Sequence, residues 1–528
     1  MRRASFRSAA VLSSLALLAG LTVGVTPGAR AASGQPSSSG GALELKVMSL
    51  NMFYGGDDLD TSTGGFCAVP NGCTDNLRRI EQMILATGAD VVGTQEAERN
   101  DSRVARALGW YASDRAHVIS RYPIIDPPHG NGVYVFVETS PGRVVAVANV
   151  HMPSDPYGPF LVRDGGNAAQ LTKLEDTVRL PAIQTQLRVL PALAARGIPV
   201  FLTGDFNSPS YLDWTPAVAA VRPDVHFPFV WPVSKALADA GMRDSYREVY
   251  PDPVAVPGFT WTPGSPEADP HEVFDRIDWV LHAGPSKALA STIVGETGGA
   301  DVGYGFTPYP SDHRGVLSTF AVHPAVSPVL VAVSTRRLYS GDPLTVAFHA
   351  PGRAGERVGL VRHGGSTVLG AVSTGAGAPA DGSVVLSTVG LGTGRYDAVL
   401  VSTGGRVLST STSLWAYPQG TKPSVSTDRS TYGVGQPIGV SWAAAPGMAL
   451  DWIGVFRCYP GGCAGNGGYL LYWYTSTRVQ GRAVIGPGKA TQDGNESWPL
   501  PAGEYVVRLL PDDGYVSVAV SKPFTIKD

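Results

Sequence analysis

The stretch Pro199-Val-Phe-Leu-Thr-Gly-Asp-Phe-Asn-Ser-Pro209 holds an apolar run, Val200 to Leu202, that ends at Gly204. A carboxylate and a carboxamide follow two residues apart, Asp205 and Asn207. A short apolar run bounded by Pro and Gly predicts an interior β-strand. Side chains at i and i+2 of a strand point the same way, so Asp205 and Asn207 are expected to face one pocket. There the first can take a proton or hold a cation, and the second can hydrogen-bond an oxyanion. Gly-Asp-x-Asn is also a common turn, so the weight falls on what flanks it.

Five further pieces do. They are Asn51 in Met-Ser-Leu-Asn-Met, Glu96 in Thr-Gln-Glu, His151 in Asn-Val-His-Met, Asp278 in Arg-Ile-Asp-Trp-Val, and Asp312 with His313 in Ser-Asp-His-Arg-Gly. Each falls at or beyond the end of an expected strand, where a rigid scaffold presents side chains to a shared rim. Taken singly, each has an ordinary alternative: a turn former, a surface charge, a structural histidine. Their joint occurrence in this order is what points to a site.

In this order the pieces resemble the endonuclease/exonuclease/phosphatase superfamily, which includes pancreatic deoxyribonuclease, abasic-site endonucleases, bacterial sphingomyelinases and inositol polyphosphate 5-phosphatases. The resemblance covers about Glu44 to Val322. It implies a four-layered α/β sandwich and hydrolysis of phosphate esters with Mg2+, or Mn2+ or Ca2+ in its place. By resemblance, Glu96 leads the metal ligands, with Asn51 and Asp312 beside it. Asp205 orients or deprotonates the attacking water, and Asn207 positions it and the phosphate. His313, held by Asp278, supports the base, and His151 donates to a phosphoryl oxygen or assists the leaving group. Whether Asp205 or His313 removes the proton stays open. The chemistry calls for such groups on its own terms: a cation on the phosphoryl oxygens, a base for water and donors for developing charge. Beyond the core motif, Tyr211 and Trp214 either stack a base or sugar in the pocket or pack in the core.

At 528 residues the chain exceeds one ordinary domain, and 64 Gly with 42 Pro favour β architecture over long helices. Arg2, Arg3 and Arg7 precede an apolar stretch and then Ala29-Arg30-Ala31, the layout of an export signal over residues 1–31. Residues 32–43 are Ser/Gly-rich and expected to be disordered. No later stretch is long and apolar enough to span a bilayer. A secreted protein suits the four cysteines, which form local pairs, Cys67/Cys73 and Cys458/Cys463. Disulfides are favoured over zinc because the pairs lie in different expected domains and lack nearby His.

Residues 44–324 are therefore expected to form the catalytic domain, with a helical pattern over Leu171–Arg196 split or kinked at Pro181 and Pro191. Gly315–Val322 is expected to complete the second sheet. Beyond it the sequence turns to short strands and repeats itself. Val358-Gly-Leu-Val-Arg362 matches Ile453-Gly-Val-Phe-Arg457, and Gly394-Arg-Tyr396 matches Gly503-Glu-Tyr505. Two all-β, immunoglobulin-like sandwich modules at 328–418 and 422–528 follow. Tryptophans 415, 442, 452, 473 and 498 are read as their cores, with cell-wall polymer or glycan contact the competing role.

Gly41–Val322 carries 21 Lys+Arg against 32 Asp+Glu, while His323–Asp528 carries 16 against 12. The acidic catalytic half offers no broad basic surface for nucleic acid. The expected substrate is a phosphate ester: nucleic acid or nucleotide first, with a phosphomonoester, phosphorylated small molecule or lipid headgroup as the alternative. A binding protein with a dead enzyme domain is the reading from another class, and the presence of each catalytic position argues against it. All candidates lie between Asn51 and His313, so the tail is expected to be dispensable for chemistry.

Overall fold

A computed structural model describes residues 42–63, 65–67, 73–128, 130–267, 269–375, 380–459, 462–463, 468–486 and 498–528. The expected export signal and nearly all of the lead-in lie outside these residues.

Hydrophobic alternation builds the centre. In the strand Leu43–Asn51, Leu45 and Val47 point to one face while Met48 and Leu50 point to the other, all fully buried. This strand lies inside a seven-stranded sheet in the order 302–306, 286–296, 315–322, 43–51, 91–95, 118–120, 111–113. Gly315–Val322 thus does not complete the second sheet. It pairs antiparallel with Leu43–Asn51 in the middle of the first. The second sheet runs 243–244, 278–283, 200–205, 143–151, 135–140, 124–125. The inner faces meet through Val47, Val91, Val145, Val147, Phe201 and Val280, each fully buried aliphatic contributing about 1.5–3 kcal/mol. Gly93 faces the second sheet so closely that a Cβ there would overlap the Thr203 hydroxyl.

Helices cover both outer faces. Thr74–Thr87 buries Leu77, Ile80, Met83 and Ile84 at helical spacing against Met48 and Leu50, and stops at Gly88 in a left-handed cap. On the other side, Leu190 and Leu193 pack with Val233 and Leu237 against Leu202 and Leu281. The result is the α/β/β/α sandwich expected. The helical stretch expected over 171–196 breaks into three, Ala168–Thr177, Arg179–Ala182 and Gln184–Ala194. Pro191 is accommodated inside the last of these.

The repeat emerges as two sandwiches of the same topology. Each sets a three-stranded sheet against a larger one, and each closes with its second strand parallel to its last: Arg337–Tyr339 on Leu414–Tyr417, and Thr431–Gly433 on Phe524–Lys527. Trp442 and Trp452 are buried, while Trp415, Trp473 and Trp498 pack against the hydrophobic clusters. The first sandwich is tied to the catalytic layers, since Ala325–Val326 pairs with Arg143 and Val144 and Leu330 and Ala332 enter the outer core of the second sheet.

The second sandwich is tied by charge. Its Asp512, fully buried, lies 3.0 Å from His117 Nε2, while Asp101 of the catalytic domain lies 2.9 Å from Nδ1. Burial opposes charge on His117, but the two carboxylates outweigh it and hold its pKa well above the usual imidazole value. A folded-state pKa raised in this way gives stability that is fully present below the unfolded value of about 6.5 and is lost as pH rises through the folded value. The melting-temperature gap between wild type and His117→Gln should therefore be widest near about pH 6 and shrink as pH rises. A constant gap across that range would contradict this.

Candidate active site

Strand register brings the candidate residues together. Asp205 is the last residue of Val200–Asp205 and pairs with His151 on the parallel neighbour and with Asp278 on the antiparallel one. In the first sheet Asn51 pairs with Gln95, so Glu96 follows at the same end. Gly315–Val322 runs antiparallel to Leu43–Asn51, which puts the preceding Asp312 and His313 there too. The two sheets thus deliver eight expected residues to one rim: Asn51, Glu96, His151, Asp205, Asn207, Asp278, Asp312 and His313.

A pocket of about 310 Å³ opens there, lined by six of them, with Glu98, Trp261, Phe53, Tyr54 and Tyr157 among its other walls. Asn51 and Asp278 lie beneath it, fully buried. The Asn51 carboxamide nitrogen donates to Glu96 Oε1 and Asp205 Oδ2, both at 3.1 Å, while its oxygen accepts from Phe53 N–H at 2.9 Å. Through its nitrogen Asn51 ties the two carboxylates together. Glu96 also accepts from Tyr54 N–H at 2.9 Å, and Asn207 N–H donates to Asp205 Oδ1 at 2.9 Å. Phe53, Tyr54, Glu96 and Asn207 all adopt positive φ, from 41° to 58°. Non-glycine residues held in this region concentrate at functional sites.

Both histidines face Asp205. His313 places Nδ1 3.0 Å from Asp278 Oδ2 and Nε2 3.6 Å from Asp205 Oδ2. His151 places Nε2 3.7 Å from the same oxygen and 3.9 Å from Glu96 Oε1. Burial works against charge on each ring, yet the surrounding carboxylates win. Asp278 and Asp205 hold the His313 pKa well above the usual range, and Asp513, Asp205 and Glu96 push that of His151 up to about 9. The acidic groups respond in kind. Burial raises Asp312 to about 7, with His313 opposing and Glu96 adding. Burial and then Asp58, Glu96 and Asp513 raise Glu98 to about 8.

The donor set suits a hard divalent cation, which takes oxygen ligands and retains water. Glu96 and Asp312 supply carboxylate oxygens at the pocket wall, and Asp312 Oδ1 is buried without a hydrogen-bond partner. Asp205, Asp278 and His313 also bring potential ligand atoms within 4.8 Å of one another. There the two carboxylates raise the pKa of the imidazole between them, so the same three groups suit holding or moving a proton as well as meeting a cation.

Neither Tyr211 nor Trp214 reaches the pocket. Trp214 is buried edge-to-face against Trp231 and donates to Asp275, so core packing claims it. Tyr211 borders a separate cavity with Arg243 and Glu248. Cys67–Cys73 and Cys458–Cys463 are disulfide-bonded, with Cα–Cα distances of 5.7 and 4.3 Å.

Sequence reasoning missed Asp513 and Tyr515, which reach the pocket from the second sandwich. No local motif announces them. The tail thus supplies part of the pocket wall, which the motifs between Asn51 and His313 do not include. Between catalytic domain and second sandwich the pocket continues into a cleft of about 760 Å³, bordered by Arg115, Arg188 and Arg478 and by Trp452, Tyr472 and Tyr474.

The Endonuclease/Exonuclease/phosphatase family matches residues 48–313, half of the chain, and the protein belongs to that family, whose members hydrolyse phosphate esters. The uncharacterized protein F14F9.5 of Caenorhabditis elegans is 27% identical over 274 residues, spanning 46% of this chain and 79% of its own. An endonuclease/exonuclease/phosphatase from Beutenbergia cavernae superposes with a TM-score of 0.32 at 18% identity, over 70% of this chain and 99% of its own. An AP endonuclease from Archaeoglobus fulgidus gives 0.32 at 13%, over 53% and 100%.

If Asp278 orients His313, Asp278→Asn should lower kcat on an activated phosphate ester by about 10²- to 10⁴-fold, the range seen when a proton-handling histidine loses its carboxylate. Circular dichroism and melting serve as the check on folding. Wild-type turnover in the folded variant would remove the pair from the chemistry.

Proposed function

We propose that the protein is an exported, divalent-metal-dependent phosphodiesterase that hydrolyses its substrate by attack of water. The observation that carries this reading is the convergence of Glu96, Asp312, Asp205, Asn207, His151 and His313 on one pocket at the strand ends. Glu96 and Asp312 would hold the cation, which supplies charge neutralisation at the phosphoryl oxygens when bound.

The protein's own groups divide the remaining work. Asp205, backed by Asn51 and by Asn207 N–H, faces the pocket as the acceptor for the proton of water. His313, fixed through Nδ1 by Asp278, holds positive charge beside it. His151, likewise charged, is set to donate to a phosphoryl or leaving-group oxygen. Trp261, Tyr157 and Phe53 wall the pocket around these groups.

A diester is favoured over a monoester by the adjoining cleft, where exposed Arg188, Arg478 and Tyr474 suit an anionic substrate extending past the scissile phosphate. Export is supported by the two disulfides, which persist in an oxidising compartment.

The test is a panel of DNA, RNA, nucleotides, phosphoinositides, choline lipids and bis(p-nitrophenyl) phosphate, with Mg2+, Mn2+ or Ca2+, before and after chelation. Diester hydrolysis should vanish in excess chelator and return with added cation. Glu96→Gln should lower kcat by at least about 100-fold, beyond the usual cost of losing an outer-shell partner. Full activity in chelator, with no tightly held metal by elemental analysis, would overturn the metal reading. Preference for monoesters or lipids would move the substrate assignment.

A further inference from the structure

We propose that Asp513 of the second sandwich is a positioning residue for the active site, fixing the orientation of His151 across a domain boundary. The inference rests on the functional reading above, which gives His151 its role.

Pro511–Tyr515 leaves the strand Gly503–Leu510 and crosses to the catalytic rim. Asp512 and Asp513 both adopt left-handed backbone, with φ of 57° and 59°. Two consecutive non-glycine residues in that region are costly and persist only where the surroundings over-determine them. Those surroundings are in place. Asp513 N–H donates to Leu450 O at 3.0 Å, Asp512 N–H to Asp451 Oδ1 at 3.2 Å, and the Trp452 indole to Gly514 O at 3.1 Å. Asp512 is anchored in turn on His117.

So held, the Asp513 carboxylate spans two partners. Oδ1 accepts from the Tyr474 hydroxyl at 2.9 Å, and Oδ2 lies 3.2 Å from His151 Nδ1. With Nδ1–H committed to Asp513, Nε2 is the nitrogen that faces Asp205 and Glu96. The catalytic domain builds the same arrangement from its own residues at His313, with Asp278 on Nδ1 and Asp205 beyond Nε2. Two imidazoles thus converge on Asp205 Oδ2, each oriented by a carboxylate behind it. One carboxylate comes from the neighbouring strand and the other from 362 residues downstream. A carboxylate on the far nitrogen fixes a histidine's tautomer and ring orientation.

The test uses the full chain with Asp513→Asn, Asp513→Glu, His151→Ala and the double variant. Asp513→Asn should lower kcat on the best diester by about 10- to 100-fold, as loss of such a partner typically does, with little change in KM or melting temperature. Asp513→Glu should restore part of the loss. In the His151→Ala background, Asp513→Asn should have no further effect, because the two act as a unit. An equal loss in both backgrounds would make the loop merely structural, and wild-type kcat in Asp513→Asn would overturn the proposal. A wild type inactive on every diester would instead defeat the functional reading. The contact is then read from ¹⁵N spectra of histidine-labelled protein, where Asp513→Asn should shift the His151 Nδ1 signal, assigned by its absence in His151→Ala. An unmoved signal would overturn the proposal on its own.

Discussion

The architecture turns on one constraint, the crowding of carboxylates around a single buried pocket. Glu96, Glu98, Asp205, Asp312 and Asp513 line it, and Asp278 lies beneath. Like charges out of water repel strongly, and a buried carboxylate without compensation neutralises by taking a proton. The fold answers in three ways. Two imidazoles, buried His313 and half-buried His151, lie between the acids and are drawn toward the charged form, Asn51 and the N–H groups of Tyr54 and Asn207 donate to the carboxylates, and burial with neighbouring charge raises Asp312 and Glu98. Under the proposed function, the repulsion that remains is what a bound divalent cation would relieve.

Sheet register explains how six separated sequence pieces reach the same place, and also why so much of the site was legible in the sequence. Each piece ends or begins a strand, and an apolar run followed by a polar residue marks that boundary locally. Asp205 beside His151 and Asp278 is the pairing that such boundaries imply once the strands are neighbours. The four layers follow from alternation in strands such as Leu43–Asn51 and from the spacing of Leu77, Ile80, Met83 and Ile84. Strand order is less local. Gly315–Val322 sits mid-sheet because its partner is the first strand of the domain, a choice that nothing within its own eight residues encodes.

What lay beyond sequence reasoning has a common cause, long-range packing. Trp214 follows the core motif closely enough to suggest the pocket, but Trp231 and Asp275 draw it inward. Asp512 and Asp513 read as an ordinary acidic turn, and their destination depends on how the second sandwich docks. The two modules of like topology are placed differently. The first continues the catalytic core through Ala325–Val326 and Leu330, whereas the second brings the loop after its long strand to the rim. The same topology thus serves as support in one copy and as part of the pocket wall in the other.

The central claim is that the crowded carboxylates form a cation site whose occupant faces the reacting phosphate. Anomalous diffraction from crystals grown with Mn2+ tests it most directly. The account predicts an anomalous peak in the pocket beside Glu96 and Asp312, abolished in crystals of Glu96→Gln. A pocket without a peak in crystals of active protein, or manganese bound only on the surface, would contradict it.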